Sequence, residues 1–229
     1  MTLQMPRPTL NLDFRQSLRF PPRLSFARAG TLTYRNEQGD VLTAQANTPR
    51  VGKHPTSDTL PSTGLILAAT ETCSMPTTSF LKAGTGTMLW VGSLTTVATS
   101  QNIWALALDS GSNDNVLRVR MDTTTAGRLR LANVLAGTAI FTADLINPML
   151  VDTRYAIAVS WSGDSIFAIV NDTHQVYRES VGGVGTVDTL SVGSIVPALS
   201  GSVMDGAVER LTYWPFAMTL QQLRGLTVL

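Results

Sequence analysis

Cysteine is nearly absent from this 229-residue chain. Cys73 stands alone, so no intrachain disulfide can form and a cysteine-rich metal site is excluded. A small scaffold stapled by disulfides is excluded with it. Charge is scarce as well: Asp, Glu, Lys and Arg make up 14% of the residues, and the formal net charge is +1. Nucleic-acid binders carry a strong positive excess along a basic stripe, so nucleic acid is not an expected partner. Lysine occurs twice and glutamate four times, which leaves little material for helix surfaces. No run approaches the ~18 apolar residues of a spanning helix, and no membrane insertion is expected. The opening MTLQMPRPTLNLDF lacks the apolar stretch of a signal peptide and is broken by Pro6 and Pro8. It reads as a chain made in the cytoplasm without a signal peptide.

What is present points to strands. Hydrophobic residues reach 44%, enough for a substantial core, and threonine occurs 30 times. Threonine fits a pleated sheet better than a helix. The chain changes character near residue 80, dividing into an extended module over 1–80 and a regular domain over 81–229. Pro6, Pro8, Pro21 and Pro22 disfavour helix and central strand, so the first 30 residues read as an arm with short edge strands. Residues 31–46 alternate around Asn36-Glu37-Gln38-Gly39-Asp40 and predict a hairpin. A loop over 47–63 then leads to the short apolar strand GLILA at 64–68. Residues 1–50 hold 7 arginines against Asp13, Glu37 and Asp40. Arg15, Arg19, Arg23, Arg28 and Arg50 read either as a solvated arm or as an assembly arm docked on an acidic or carbonyl-rich neighbouring subunit.

From residue 86 the signal is regular. Apolar or alternating runs occur at 87–98, 102–110, 115–122, 127–136, 139–145, 154–162, 164–172, 174–180, 186–194 and 207–218. Leu117, Val119 and Met121 alternate with Arg118 and Arg120; Leu129 and Leu131 alternate with Arg128 and Arg130. Turn-forming clusters separate the runs. Some ten strands at this spacing, with no long helical pattern between them, predict an all-β sandwich of antiparallel sheets. One helical turn is expected at the end, capped by Thr219 and stopped by Gly225.

No constellation for catalysis emerges. His54 precedes a proline in a loop and His174 begins a strand after a turn; neither has a nucleophile or a third group placed to orient it. Gly84-Thr85-Gly86 and Gly182-Gly183-Val184-Gly185 have no helix after them to cradle a phosphate, and read as turns. Glycoside hydrolysis needs paired carboxylates, yet Glu37, Glu71, Glu179 and Glu209 are scattered, and Glu209 has no acidic residue two positions away. The chain is expected not to be an enzyme. Asp109, Asn113, Asp114 and Asn115 bunch oxygen-bearing groups at one strand connection, a composition that suits calcium or, with Trp104 nearby, a sugar. The same composition also makes an ordinary polar hairpin loop. Trp90, Trp161 and Trp214 fall on strand patterns as core or interface residues.

Two stretches resemble known families. Tyr155 to Trp161, Ile166 to Asn171, Leu190 to Gly193 and Val208 to Leu223 resemble successive strands in the C-terminal half of a concanavalin-A-like (laminin-G-like) jelly roll. Upstream, Phe26, Arg28, Ala29, Thr33, Tyr34, Gly39, Asn47, Pro49, Arg50 and Gly64-Leu65-Ile66 resemble an N-terminal module of tailed-phage virion proteins. Gly30 stands where that module usually has serine, and Leu67-Ala68-Ala69 replace its acid. Together the resemblances span about residues 10–225. They imply a jelly-roll sandwich behind an extended arm with a hairpin, in a structural subunit of a phage particle. A tail-fibre or tail-tip subunit of the adsorption apparatus is favoured; a capsid decoration protein or a lectin module for host-surface glycans is the alternative. Implied partners are other virion proteins, a host glycan and identical copies, with a trimer favoured because so few lysines guard the sheet edges.

Overall fold

In a computed structural model the described residues are 84–108, 114–179, 182–193 and 204–229, together with seven earlier strand segments. The early segments are β1 (Leu10–Asp13), β2 (Ser25–Phe26), β3 (Leu32–Arg35), β4 (Val41–Ala44), β5 (Arg50–Val51), β6 (Leu65–Leu67) and β7 (Cys73–Pro76). There follow β8 (Thr85–Leu94), β9 (Asn102–Ala107), β10 (Val116–Met121), β11 (Leu129–Leu135) and β12 (Thr138–Ile146). The chain closes with β13 (Tyr155–Ser162), β14 (Ser165–Val170), β15 (His174–Arg178), β16 (Thr189–Val192), β17 (Gly206–Trp214) and the helix α1 (Leu220–Thr227).

The strands form two antiparallel sheets, the all-β sandwich expected from the alternation. The first runs β15-β14-β13-β8-β17-β6-β5, with β1 paired to β17 beside β6. The second runs β12-β11-β10-β9-β16-β7-β4-β3-β2. β3 and β4 pair antiparallel where the hairpin is expected, through Thr33↔Thr43, Tyr34↔Leu42 and Arg35↔Val41. The first 80 residues thus supply strands to both sheets: β6 hydrogen-bonds to β17, and β7 to β16. β7 lies outside the runs read from sequence, because Cys73-Ser74-Met75 is too short an alternation to stand out before Pro76.

Inward side chains meet between the sheets. Trp90, Trp161 and Tyr213 from the first pack with Trp104, Leu106, Leu117, Val119, Met121, Leu129 and Leu131 from the second, all at most 1% exposed. Each such side chain withdrawn from water contributes roughly 1.5–3 kcal/mol before the entropy of ordering is charged against it. The large rings need space, and glycine supplies it. A Cβ on Gly86 would sit 2.5 Å from Trp161 Cζ2 and 2.7 Å from Tyr213 Cε2. At Gly206 a Cβ would meet the carbonyl oxygen of Ser93 at 2.2 Å, on the paired strand β8.

The opposite side of the first sheet is closed by α1. Thr219 caps it as expected, in a capping box with Gln222. The segment before the helix is tied down by a buried polar knot. The Met218 amide donates to Ser160 Oγ at 2.8 Å and to Thr87 Oγ1 at 3.2 Å, and Ser160 Oγ donates to the Met218 carbonyl at 3.1 Å. Trp214, Met218 and Leu223 then bury against Leu89, Val91, Ala156, Ala158 and Ile169. The helix corrects one expectation: it passes through Gly225 and ends at Thr227. Gly225 has open space around it, and Thr227 Oγ1 bonds back to the Leu223 carbonyl, so the last turn holds without a glycine stop.

The two glycine environments separate in a mutational test. Gly206→Ala forces a methyl onto fixed backbone and should cost about 1–3 kcal/mol. Gly225→Ala should stabilise by about 0.5–1 kcal/mol by reducing the entropy lost on folding. Urea unfolding of both variants checks the signs; equal effects would refute the close approach of β17 to β8.

Candidate ligand face

Of the residues singled out in the sequence, Arg15, Arg19, Arg23, Arg28, Asp109 and Asn113 lie outside the described residues. Arg50 is placed by its backbone, in β5 opposite Ile66. Asn115 is used as a brace: its Nδ2 donates to the Thr186 carbonyl at 3.2 Å and its Oδ1 accepts from the Ala136 amide at 3.1 Å. Asp114 beside it is exposed, and its carbonyl accepts from the Gly137 amide at 2.9 Å. Trp104 needs correction. Its ring has no exposed surface and points into the sandwich with Leu106, so it cannot be the aromatic platform for a sugar. Trp90, Trp161 and Trp214 are buried as expected.

The structure gathers a different set of residues on the outer side of the second sheet. Leu117, Val119 and Met121 fill the core, so the pleat turns Arg118 and Arg120 of β10 to the other face. Arg118 stands between Ala105 of β9 and Ala132 of β11. The row continues to exposed Thr142 of β12 on one side and to buried Ser191 of β16 on the other. Val116 pairs with Ala107 and Val134 in the neighbouring row, forming a small apolar cluster with Ala105. The side chains around Arg118 on this face are small and closed to water: Ala105, Ala107, Val116, Ala132, Val134 and Ser191 are at most 6% exposed. Arg120 stands opposite Arg130, a pairing of like charges across the strands that carries a cost unless something compensates it.

Compensation at one end comes from Asp122, the residue after β10. Its carboxylate is 1% exposed, and its Oδ1 accepts from the Thr124 hydroxyl at 2.7 Å, the Thr124 amide at 2.8 Å, the Thr125 amide at 2.9 Å and Arg128 Nη2 at 2.9 Å. Arg130 Nη1 binds the other oxygen, and Arg130 Nε reaches Asp144 at 2.7 Å. The Thr124 hydroxyl foremost, then Arg128 and the Thr124 amide, hold the carboxyl pKa far below the usual range, against the opposing effect of burial. Asp122 is thus a permanent anion, unfit to act as a general acid.

Arg118 and Arg120 receive no such partner. Among the described residues neither forms an ion pair, and the Nε of each is buried without a hydrogen-bond acceptor. Burial, and secondarily the charge of Arg120, lowers the Arg118 pKa to about 10, so it remains cationic at neutral pH. Burial is also the main influence on Arg120, lowering its pKa; Asp122 opposes that and Arg130 adds to it. Four arginines meet two carboxylates here, and Arg118 and Arg120 are the two left without an ion pair among the described residues. The signal was legible as two arginines two positions apart in a strand with no acid between them, but sequence alone did not reveal that Asp122 and Asp144 would be taken by Arg128 and Arg130. Among the described residues no group of His, Cys, Asp and Glu is placed to hold a metal.

No protein-family model matches the sequence, and no curated protein matches it. Solved structures do match in fold. Domain 4 of AbnA, a GH43 extracellular arabinanase from Geobacillus stearothermophilus in complex with arabinotriose, superposes with a TM-score of 0.65 at 10% identity, over 84% of this chain and 91% of that one. The CBM40 of the Ruminococcus gnavus IT-sialidase, bound to α2,3-sialyllactose, gives 0.57 at 12% identity, over 72% and 96%. Trypanosoma rangeli sialidase gives 0.60 at 12% identity; 88% of this chain matches 31% of that protein. These likenesses establish the sandwich fold.

The Asp122 network has a pH signature. Its folded pKa is depressed, so its stabilisation is complete above the unfolded value, about 3.9, and is lost as the pH falls below it. The melting temperature should therefore fall more steeply below pH 4 in the wild type than in Asp122→Asn, which starts lower at neutral pH. Parallel profiles from pH 7 to 2 would refute the assignment.

Proposed function

We propose that this chain is a non-catalytic glycan-binding module, displayed on the adsorption apparatus of a tailed-phage particle. The observation that carries the binding half is the outer face of the second sheet, which holds the half-buried cations Arg118 and Arg120, neither in an ion pair among the described residues. A sandwich of this type serves binding, catalysis and structure alike, so the reading rests on that face and not on the fold. The structural likeness to sugar-bound domains supports it. Glu209, the one glutamate on a long strand among the described residues, supports the non-catalytic half: its carboxylate is 1% exposed and accepts from Arg154 Nε at 2.9 and 3.0 Å. A glutamate so held is a structural brace.

The phage half rests on the N-terminal residues from Phe26 to Ile66 that resemble a virion module. In this reading the early arginines face neighbouring virion subunits, and identical copies cover sheet edges, most simply as a trimer. A capsid decoration protein would use the same parts, and the position of the protein in a particle map distinguishes the two.

Two measurements test the proposal. On an array of bacterial, plant and animal glycans the purified chain should be retained by a restricted set of sugars, without releasing reducing ends; retention by none would overturn the binding reading. Sedimentation at micromolar concentration should give a trimer, and a stable monomer would overturn the assembly reading.

A further inference from the structure

The first sheet ends in an aromatic surface that lies open to water. On its outer side one row of side chains runs Thr87, Ser160, Phe167 and Tyr177, across β8, β13, β14 and β15. Met218 closes the first two, which have no exposed surface. Phe167 is half-buried against the helix cluster, and Tyr177 is 46% exposed. Among the described residues Tyr177 is the one exposed aromatic, and β15 is the last strand of its sheet. A single exposed ring needs no explanation by itself. This one is clamped twice. It stacks on Phe167 with ring centroids 4.5 Å apart and planes at 28°, and its hydroxyl donates to Glu179 Oε1. The hydrogen bond to Glu179 foremost, then loss of water, raises the Tyr177 pKa, so the phenol remains a donor at neutral pH. Phe167 takes one face of the ring, which leaves the opposite face as the exposed one. Glu179, the residue after β15, is itself exposed, and among the described residues its Oε2 has no hydrogen-bond partner.

A flat apolar ring with a charged acceptor at its rim matches the two surfaces of a pyranose. The sugar's C–H face packs on the ring, and its hydroxyls donate to the carboxylate. Because stack and hydrogen bond fix the tyrosine beforehand, little side-chain freedom is lost when the ligand arrives. Exposed Arg178 lies between the two residues in sequence, its Nη1 donating to the Tyr177 carbonyl at 3.1 Å. It offsets the charge of Glu179, so the segment 177–179 has no net charge with which to select an ion. We propose that Tyr177 and Glu179 form a stacking platform for a neutral pyranose, with Phe167 as the positioning residue beneath the ring. This rests on the glycan-binding reading and gives it a contact on the first sheet, away from Arg118 and Arg120.

Titration calorimetry with lactose, cellotriose, maltotriose, 3′-sialyllactose and tetramethylammonium chloride separates the outcomes. The wild type should bind at least one of the three neutral sugars, with an affinity that added salt leaves unchanged. Tyr177→Ala should weaken that binding about tenfold, whereas Tyr177→Phe, which keeps the ring, should stay within about threefold. Glu179→Ala should weaken it about tenfold, and Glu179→Gln, which keeps an acceptor oxygen, should recover part of the loss. Should Tyr177→Ala fail to fold, Glu179→Ala carries the same test at an exposed position outside the strand. Arg118→Gln should bind as the wild type does, which separates this surface from the second sheet. Neutral-sugar binding unchanged in Tyr177→Ala and Glu179→Ala would overturn the platform while leaving the glycan reading intact. So would binding that is lost in Arg118→Gln instead. Preference for 3′-sialyllactose over lactose, or binding of tetramethylammonium in place of sugar, would overturn the neutral-ligand assignment. Binding of none of the three neutral sugars would overturn the proposal, and a blank glycan array as well would overturn both readings.

Discussion

The placement of Arg118 and Arg120 depends on the register of β10 between β9 and β11. Leu117, Val119 and Met121 have no exposed surface, and their burial against Trp104 and the first sheet fixes which face of the strand looks inward. A slip of one residue would drive two guanidinium groups into the apolar core and turn three large side chains out to water. Burial of that kind without a partner costs several kcal/mol per charge, so the register is strongly specified. The same alternation in β11 sends Leu129 and Leu131 inward and Arg130 outward. The cationic character of the outer face therefore follows from the apolar requirements of the inner one.

A sheet that presents four arginines within a few residues must deal with their repulsion. It does so unevenly. Asp122 is placed by a tight turn in which the amides of Thr124 and Thr125 and the Thr124 hydroxyl all point at one oxygen, and this preorganised anion takes Arg128 and Arg130. Asp144 completes the set from β12. One end of the face is in this way neutral and rigid, joining the strands β10, β11 and β12 through charge as well as backbone bonds. The other end carries the remaining two cations. Stability alone would favour neutralising or replacing them, because a charge left half-buried and unpaired lowers it.

Much of the fold could be read from the residues because sheets leave a period of two. The runs around Leu117, Leu129, Tyr155 and Ile166 each became a strand within a few residues of the expected ends, and Thr219 capped the helix. β7 escaped because Cys73-Ser74-Met75 is only three residues of alternation ahead of a proline; its pairing with β16 and β4 comes from tertiary context. The stop at Gly225 was misplaced because a glycine ends a helix only where the backbone turns left-handed, and here it does not. The site was less legible. Trp104 drew attention because aromatic rings stack on sugars, but in a strand of alternating residues its neighbours decided its face, and they put it in the core. The arginines had the right type and spacing in plain view. What sequence could not supply was the pairing of Asp122 and Asp144 with the other two, which turns four equivalent cations into two satisfied and two unsatisfied ones.

The two outer faces of the sandwich differ in the side chains they carry. Outside the first sheet, Thr87, Ser160 and the Met218 backbone fasten the returning chain, and α1 lays Leu223 over Ala156, Ala158 and Ile169. That surface is apolar, and a helix seals it. Outside the second sheet no helix lies among the described residues, yet Ala105, Ala107, Val116, Ala132, Val134 and Ser191 there are at most 6% exposed, beside the half-buried Arg118 and Arg120. An apolar face left without a cover would promote aggregation, whereas a face of small and cationic groups stays compatible with water. The chain uses its only described helix where burial demands it. On the second sheet the pleat that fills the core with Leu117, Val119 and Met121 leaves Arg118 and Arg120 half-buried beside a closed row of small side chains, so charge stays on that face where the first has a helix.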